Sequence, residues 1–111
     1  MTSGNYNNSY GESYLRSLTT GVRNTGIGHA ALMNLVGGNH NTGLGDEAGL
    51  AVTSGTNNTC VGHNAGNSGS PSGAIGSSSN IICLGDNNVT DLYCAETVSY
   101  THLTLPTTML V

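Results

Sequence analysis

The 111-residue sequence contains no tryptophan and no phenylalanine, and only 7% of its residues are charged. Globular domains usually carry about a quarter of charged residues, yet the hydrophobic share here is also small, at 36%. Such a chain has too little apolar volume for a conventional core to offset the entropy that is lost when the backbone is ordered. The composition therefore argues against an ordinary globular domain.

Basic residues and long apolar runs are also scarce. Arg16 and Arg23 are the only lysine or arginine residues against six acidic ones, and the resulting net charge of −4 repels nucleic-acid phosphates. No apolar run approaches membrane-spanning length, and the first residues lack the basic start and apolar centre of a signal peptide. We expect neither nucleic-acid binding nor membrane insertion.

What the sequence has instead is a repeated pattern of about a dozen residues. The stretches GVRNTGIGHAAL, GNHNTGLGDEAG and GTNNTCVGHNAG begin at Gly21, Gly38 and Gly55, which are 17 residues apart, and an earlier copy begins at Gly4. All four share the frame G-x-x-N-[NT]-x-[YILV]-G. Low hydrophobicity alone favours disorder, but a disordered chain has no need to keep an apolar residue at a fixed phase. A regular repeat predicts stacked, equivalent coils.

Each copy predicts short β-strands joined by tight turns rather than a helix. Its large apolar side chain lies beside glycines, which weaken a helix by about 1 kcal/mol each. Glycine supplies the positive φ that tight turns need, and asparagine tolerates it while its side chain bonds nearby backbone groups. We therefore predict an all-β fold, a repeat β-solenoid or β-roll built of 17-residue coils with short strands and Gly/Asn turns.

Stacking places equivalent residues of successive coils about 4.8 Å apart, so the repeat also predicts columns of like side chains. We expect two interior apolar ladders: one is formed by Tyr10, Ile27, Leu44 and Val61, and the other by Met1, Leu18, Leu35 and Val52. Small residues form a further column at Ala31, Ala48 and Ala65, from which Tyr14 departs. The predicted turn residues are Gly11, Gly28, Gly45 and Gly62, with an amide ladder of Asn24, Asn41 and Asn58 that satisfies turn backbone groups.

The repeats divide the chain into segments. Four 17-residue repeats fill residues 1–66, and a Gly/Ser/Pro-rich insertion follows at 67–79, predicted as a loop or a wider coil. Residues 80–97 are predicted as terminal strands, with 80–84 the most hydrophobic of them. A weak alternation of apolar residues then suggests a last strand that caps the stack, at Val89, Leu92 and Cys94.

A polar residue follows the closing glycine of each copy. This column consists of Glu12, His29, Asp46, His63 and, past the insertion, Asp86. Imidazole and carboxylate groups are metal ligands. However, equivalent side chains on neighbouring coils are expected to point the same way rather than to converge on one point. We therefore expect a solvated outer ladder and no metal site.

The sequence gives little support to enzyme chemistry or to cofactors. Cys60, Cys83 and Cys94 are odd in number and lack paired spacing, so they predict neither a zinc site nor a complete disulfide framework. We interpret Cys60 and Cys83 as small buried or half-buried residues. No lysine follows the glycine-rich stretches as a phosphate-binding loop requires, and no paired carboxylates or Ser, His, Asp set stands in a supporting frame. We expect no catalytic residues and no cofactor.

The N-T-[AG]-[IVL]-G-x-x-A repeats resemble those of phage tail-fibre proteins and of the head domains of trimeric autotransporter adhesins. The resemblance extends from Gly4 to about Thr97, and the segment CLGDNNVTDLYCAET is similar to the stretch that precedes a C-terminal intramolecular chaperone in many tail fibres. It implies β-rolls or triple-stranded β-helices in a homotrimer. The implied role is that of a structural shaft in the virion, assembled in the host cytoplasm, which reaches a host-cell receptor through a tip that this chain lacks.

Two alternatives to the tail fibre remain open. The first is the head segment of a trimeric adhesin on a bacterial cell surface, which has the same kind of repeat. The second belongs to another class, the shaft of a glycan-degrading tailspike enzyme, which requires an acidic cleft.

The last residues differ in character from the repeats. The stretch VSYTHLTLPT, at 98–107, resembles one translated reading frame of a common transposon-end sequencing adapter. We expect residues 98–111 to be a non-native tail, although THLTLPTTMLV would also alternate acceptably as a strand.

Overall fold

A computed structural model describes residues 6–12 and 15–95. This part of the chain contains five short β-strands and no helix, so it offers no helix that could cross a membrane. The strands are β1 (Asn8–Tyr10), β2 (Thr25–Ile27), β3 (Thr42–Leu44), β4 (Thr59–Val61) and β5 (Ile82–Leu84). Predictions for Met1, Gly4, Tyr14 and the tail at 98–111 lie outside the described residues.

The five strands form one parallel sheet in the order of the sequence, β1-β2-β3-β4-β5. Successive strands pair in a constant register: Tyr10 lies opposite Ile27, Ile27 opposite Leu44, and Leu44 opposite Val61. Each of these steps is 17 residues long. The protein is therefore a parallel β-solenoid of about three 17-residue coils, as the repeat predicts.

The last step of the sheet is longer, because Val61 pairs with Leu84, 23 residues further on. The six additional residues lie in the segment after Gly66, where the chain makes turns instead of a strand. The chain returns to the stack at Ile75, whose N–H donates to the Gly66 carbonyl at 3.0 Å and whose side chain is buried. The insertion thus widens one coil without breaking the sheet.

The core is a narrow column of side chains enclosed by the coils. The predicted ladder of Leu18, Leu35 and Val52 is fully buried, and so are Ala31, Ala48 and Ala65. The remaining large members of the core are Leu15, Leu32 and Ile75. Hydrogen bonds between coils also fix the side of the solenoid opposite the sheet: the N–H of Leu32, for example, donates to the Ala48 carbonyl at 3.0 Å.

The other predicted interior ladder was wrong. Tyr10, Ile27 and Leu44 are exposed on the outer face of the sheet, and Val61 is only partly buried. In a three-residue strand the side-chain period of two sends the first and third residues to the same face. The middle residue points inward, and this inner column consists of Ser9, Gly26, Gly43, Cys60 and Cys83.

The inner column is restricted to small residues because the coil is thin. A Cβ atom added at Gly43 would lie 2.8 Å from the Ala48 carbonyl oxygen and 2.9 Å from Cγ of Leu32. Leucine side chains of the preceding coil already occupy the space that a large strand residue would need. Apolar volume therefore enters the core from the turns, and the large strand residues face outward.

The corner glycines have the predicted role. Gly28 and Gly45 have φ values of 130° and 128°, a region that side-chain-bearing residues rarely adopt. A Cβ at Gly28 would also lie 2.5 Å from the carbonyl oxygen of Gly45 in the next coil. The corner thus requires glycine both for its conformation and for the close approach of successive coils.

The predicted terminal strand around Val89, Leu92 and Cys94 was wrong within the described residues. After β5 the chain forms no strand as far as residue 95, and these three side chains are exposed. The alternation there is carried by few apolar residues, and none of them packs against the core cluster. No strand therefore pairs with the free edge of β5 within the described part of the chain.

Candidate functional site

The predicted amide ladder is present and fully buried at Asn24, Asn41 and Asn58. Oδ1 of Asn41 accepts the N–H of Asn58 at 3.0 Å, and Nδ2 of Asn41 donates to the Gly55 carbonyl at 2.8 Å and to Oδ1 of Asn24 at 3.2 Å. Asn24 makes the corresponding bonds one coil earlier. Each amide therefore satisfies one backbone donor and one backbone acceptor of the next coil.

One part of the asparagine prediction needs correction. The left-handed conformation does not fall on the ladder residues but on the residue before each of them: Arg23, His40 and Asn57 have φ values of 59°, 57° and 60°. The buried asparagine bonds the turn, and its exposed neighbour makes the bend. In residues 6–12 and 15–95 no buried side-chain nitrogen or oxygen lacks a hydrogen-bond partner.

An exposed apolar column runs along the outer face of the sheet. We call this set the outer column; its members are Tyr10, Ile27, Leu44, Val61 and Leu84. Tyr10 is 78% exposed, and Ile27, Leu44 and Leu84 are 41–48% exposed. Single exposed apolar residues are common, but a contiguous apolar row marks an interaction surface. The parallel register makes the spacing of this row uniform from β1 to β4.

A second surface feature lies at the corner that follows each strand. The carboxylate of Asp46 contacts imidazoles from both neighbouring coils: its Oδ1 is 2.9 Å from Nδ1 of His29, and its Oδ2 is 3.2 Å from Nδ1 of His63. A carboxylate oxygen of Glu47 lies within 4.8 Å of the ligand atoms of His29 and Asp46. One carboxylate therefore bridges two coils, while His63 lies outside the group of ligand atoms that are mutually within 4.8 Å.

The electrostatics of this corner follow from these contacts. The hydrogen bond with Asp46 raises the pKa of His29, and the negative charges of Asp46, Glu12 and Glu47 act in the same direction. The three bridged side chains are each 53–58% exposed. Exposed ion pairs contribute little to stability, so the corner does not hold the coils together by itself.

Two of the cysteines lie side by side in the inner column. Cys60 pairs with Cys83 in the parallel register, and both thiols are buried and free, whereas Cys94 is exposed. Burial and the neighbouring Cys83 raise the pKa of Cys60 to about 11. Burial acts the same way on Cys83, but hydrogen bonds with Ser72, Ser70 and the backbone outweigh it and lower the pKa. The predicted buried character of Cys60 and Cys83 is confirmed.

Two shallow grooves open on the described surface. One, of about 550 Å³, lies beside β5 and is lined by Pro71, Ser72 and residues 81–84, without a carboxylate. A second, of about 360 Å³, contains a single carboxylate, that of Glu47, among asparagine, serine, leucine and alanine residues. Glycoside hydrolysis ordinarily uses two carboxyl groups that flank the scissile bond. Neither groove supplies such a pair.

The sequence predicts which residues form each surface column, but only part of where each column lies. The 17-residue repeat predicts which residues share a column, and therefore places His29, Asp46 and His63 on adjacent coils. It does not predict which face of the strand a column occupies, so four members of the outer column were assigned to the interior, namely Tyr10, Ile27, Leu44 and Val61. The period-two rule places the first and third strand residues on one face and the middle residue on the other. The small size of the middle residues then shows that they are the ones that face the core.

Fold and surface together define a class: a parallel β-solenoid with an amide-laddered core and an apolar row on its outer face. Comparison with protein-family models, curated proteins and solved structures finds no match to the chain.

Proposed function

We propose that the chain is a structural shaft module of a phage tail fibre, which associates as a homotrimer and takes part in host attachment. The observation that carries the proposal is the outer column. Four of its five side chains are exposed, and the fifth, Val61, is partly exposed, on a protein whose charged content is only 7%. A row of this kind is stabilised when a partner covers it.

The spacing of the outer column supports a second copy of the same chain as that partner. Its residues recur once per coil, at the strand spacing of about 4.8 Å. A copy aligned in parallel presents the same period, so each apolar residue meets its equivalent along the full length of the sheet. The number three comes from the resemblance of the repeats to trimeric fibres and adhesins.

A shaft function also agrees with the construction of the coils. Backbone hydrogen bonds join successive coils both in the sheet and in the turns, and the buried amides bond along the same direction. Stability in such a solenoid is carried by contacts between neighbouring coils, so the stack can be extended by repetition. In the proposed fibre a tip carried elsewhere makes the contact with the host receptor, and the shaft itself is not an enzyme.

Disulfide trapping tests the interface. In a Cys94→Ser background, Leu44→Cys places a thiol in the middle of the outer column, while Cys60 and Cys83 stay buried. Mild oxidation should cross-link two chains of each trimer through this position. The matched control is Ser54→Cys, which is exposed but outside the column, and it should stay monomeric on a non-reducing gel. Failure of Leu44→Cys to cross-link, or equal cross-linking by both variants, would sink the proposal.

The choice between a tail fibre and a bacterial adhesin head rests on the resemblance rather than on the interface, because the outer column suits both. The genes beside this one distinguish them. Tail-assembly genes support the fibre and a location in the virion. A secretion signal and a membrane anchor in the same reading frame would instead place the protein on a bacterial surface.

A further inference from the structure

At the corner that follows β2, β3 and β4, side chains from three coils are in contact through Asp46, and neither the shaft role nor the fold requires this. His29, Asp46 and His63 occupy the same position in successive coils. Backbone bonds fix their spacing: the N–H of Glu47 donates to the His29 carbonyl at 2.8 Å, and the N–H of Asn64 donates to the Asp46 carbonyl at 3.0 Å. These hydrogen bonds between coils therefore hold in place the backbone that carries the proposed ligands.

We propose that His29, Asp46 and His63 bind one divalent transition-metal ion of the zinc type, with Glu47 as an additional carboxylate ligand. Two imidazole nitrogens and a carboxylate are a ligand set that zinc uses, and an exposed position leaves room for water as a further ligand. Calcium and magnesium ions do not suit this ligand set, because both prefer six or more oxygen ligands and two of the ligands here are imidazole nitrogens.

The distances from Asp46 to the two imidazoles suit such an ion. With zinc–ligand bonds of about 2.0–2.2 Å, two ligands of a tetrahedral ion lie about 3.3 Å apart. Nδ1 of His29 and Nδ1 of His63 lie 2.9 Å and 3.2 Å from the two oxygens of Asp46. Each imidazole is therefore within a few tenths of an ångström of the separation from Asp46 that a shared ion needs. Among the described residues the group with ligand atoms mutually within 4.8 Å is His29, Asp46 and Glu47. The His63 ring must rotate toward His29 for one ion to bind both imidazoles, and its 58% exposure leaves room for that rotation.

Metal binding through Nδ1 requires the proton of each neutral imidazole ring to be on Nε2 rather than on Nδ1. In the metal-free protein the Nδ1 atoms face Asp46 as hydrogen-bonding groups, whereas a bound metal uses the Nδ1 lone pair and leaves the ring proton on Nε2. In His63, Nε2 lies 3.1 Å from Nδ2 of Asn64. Rotation of the Asn64 amide would present its oxygen to that N–H, which is the kind of outer partner that metal-bound histidines have.

The ion would join three coils that are 17 residues apart in sequence. An unfolded chain does not hold these ligands together, so metal binds the folded stack preferentially and raises its melting temperature by mass action. This role is independent of the proposed trimer, because every ligand belongs to one chain.

Calorimetric titration of the full chain with zinc chloride tests the site. We expect one zinc ion per chain. The variants His29→Gln, His63→Gln and Asp46→Asn should each weaken zinc binding by roughly a hundredfold or more. Loss of a group that only hydrogen-bonds to a metal ligand weakens binding less, by about 10–100-fold. The matched control is His40→Asn, because His40 is also exposed and asparagine tolerates its φ of 57°. This control, and Cys94→Ser, should bind zinc as the unaltered chain does.

Cobalt substitution gives a second readout. Cobalt(II) bound by nitrogen and oxygen shows visible ligand-field bands without the near-ultraviolet charge transfer of a thiolate complex. Circular dichroism of each variant should match the unaltered chain, since all three positions are exposed. Absence of saturable binding, binding that Cys94→Ser abolishes, or equal losses in His40→Asn and Asp46→Asn would overturn the proposal.

Discussion

At the scale of single residues, the buried asparagines explain which positions of the repeat stay constant. An amide carries both a donor and an acceptor, so Asn41 can bond the N–H of Asn58 and the carbonyl of Gly55 at once. No apolar side chain can do this, and a carboxylate lacks the donor. The charged positions vary from copy to copy because they lie outside, where water satisfies them.

Replacement of Asn41 by alanine tests this role. The substitution leaves the Asn58 N–H and the Gly55 carbonyl without their partner in the core, at a cost of about 1–3 kcal/mol for each group. We expect a loss of this size in the free energy of unfolding, measured by urea denaturation. The control is Asn34→Ala: Asn34 is exposed and makes one hydrogen bond, to the Leu50 carbonyl at 3.0 Å. Equal stability of the two variants would contradict a structural amide ladder.

At the scale of the strand, each element has only three residues, and only the middle one faces the core. The sequence carries the repeat length, the parallel pairing and the identity of each column, because all of these follow from spacing. The facing of Ile27 and Leu44 was mispredicted because the largest apolar residue was assigned to the interior. The interior is too thin for it, since Leu32 reaches across the coil to the inner face of β3. Only the size of the inner residue, glycine or cysteine in β2 to β4, reveals this in the sequence.

Substitution at Gly43 tests whether the middle residue of β3, rather than Leu44, faces the core. A valine there places Cβ against the Ala48 carbonyl and the Leu32 side chain, and overpacking of this kind costs about 1–3 kcal/mol or more. Thr42→Val adds the same side chain to the same strand on its outer face and should change the stability little. Thermal melting followed by circular dichroism measures both. A Gly43→Val variant as stable as Thr42→Val would show that the inner face is open.

The polar corner could be predicted in part. The repeat places His29, Asp46 and His63 in one column, but the bridging of two imidazoles by one carboxylate depends on side-chain rotation. Asp46 is the central member, so each of its two oxygens reaches a different coil. Spacing along the sequence carries no information on this rotation.

At the scale of the whole molecule, the solenoid leaves two kinds of surface open. Within residues 6–12 and 15–95, no further strand pairs with the outer edges of β1 and β5, and such edges are sites where strands can add. Its outer face exposes the outer column. In the proposed trimer the outer column is covered sideways by neighbouring chains, whereas the edges are covered by continuation of the fibre. Sideways association is therefore the property that separates a trimeric shaft from a self-contained single-chain solenoid.

Sedimentation equilibrium of the full chain and of Leu44→Asp tests this most directly. The account predicts a species of three times the 11.2 kDa chain mass for the unaltered protein. It predicts a monomer with unchanged β-type circular dichroism for Leu44→Asp, because the new charge disrupts the interface but lies outside the core. Ser54→Asp adds the same charge elsewhere on the surface and should remain trimeric. A soluble, folded monomer of the unaltered chain, or a trimer that survives Leu44→Asp, would contradict the account.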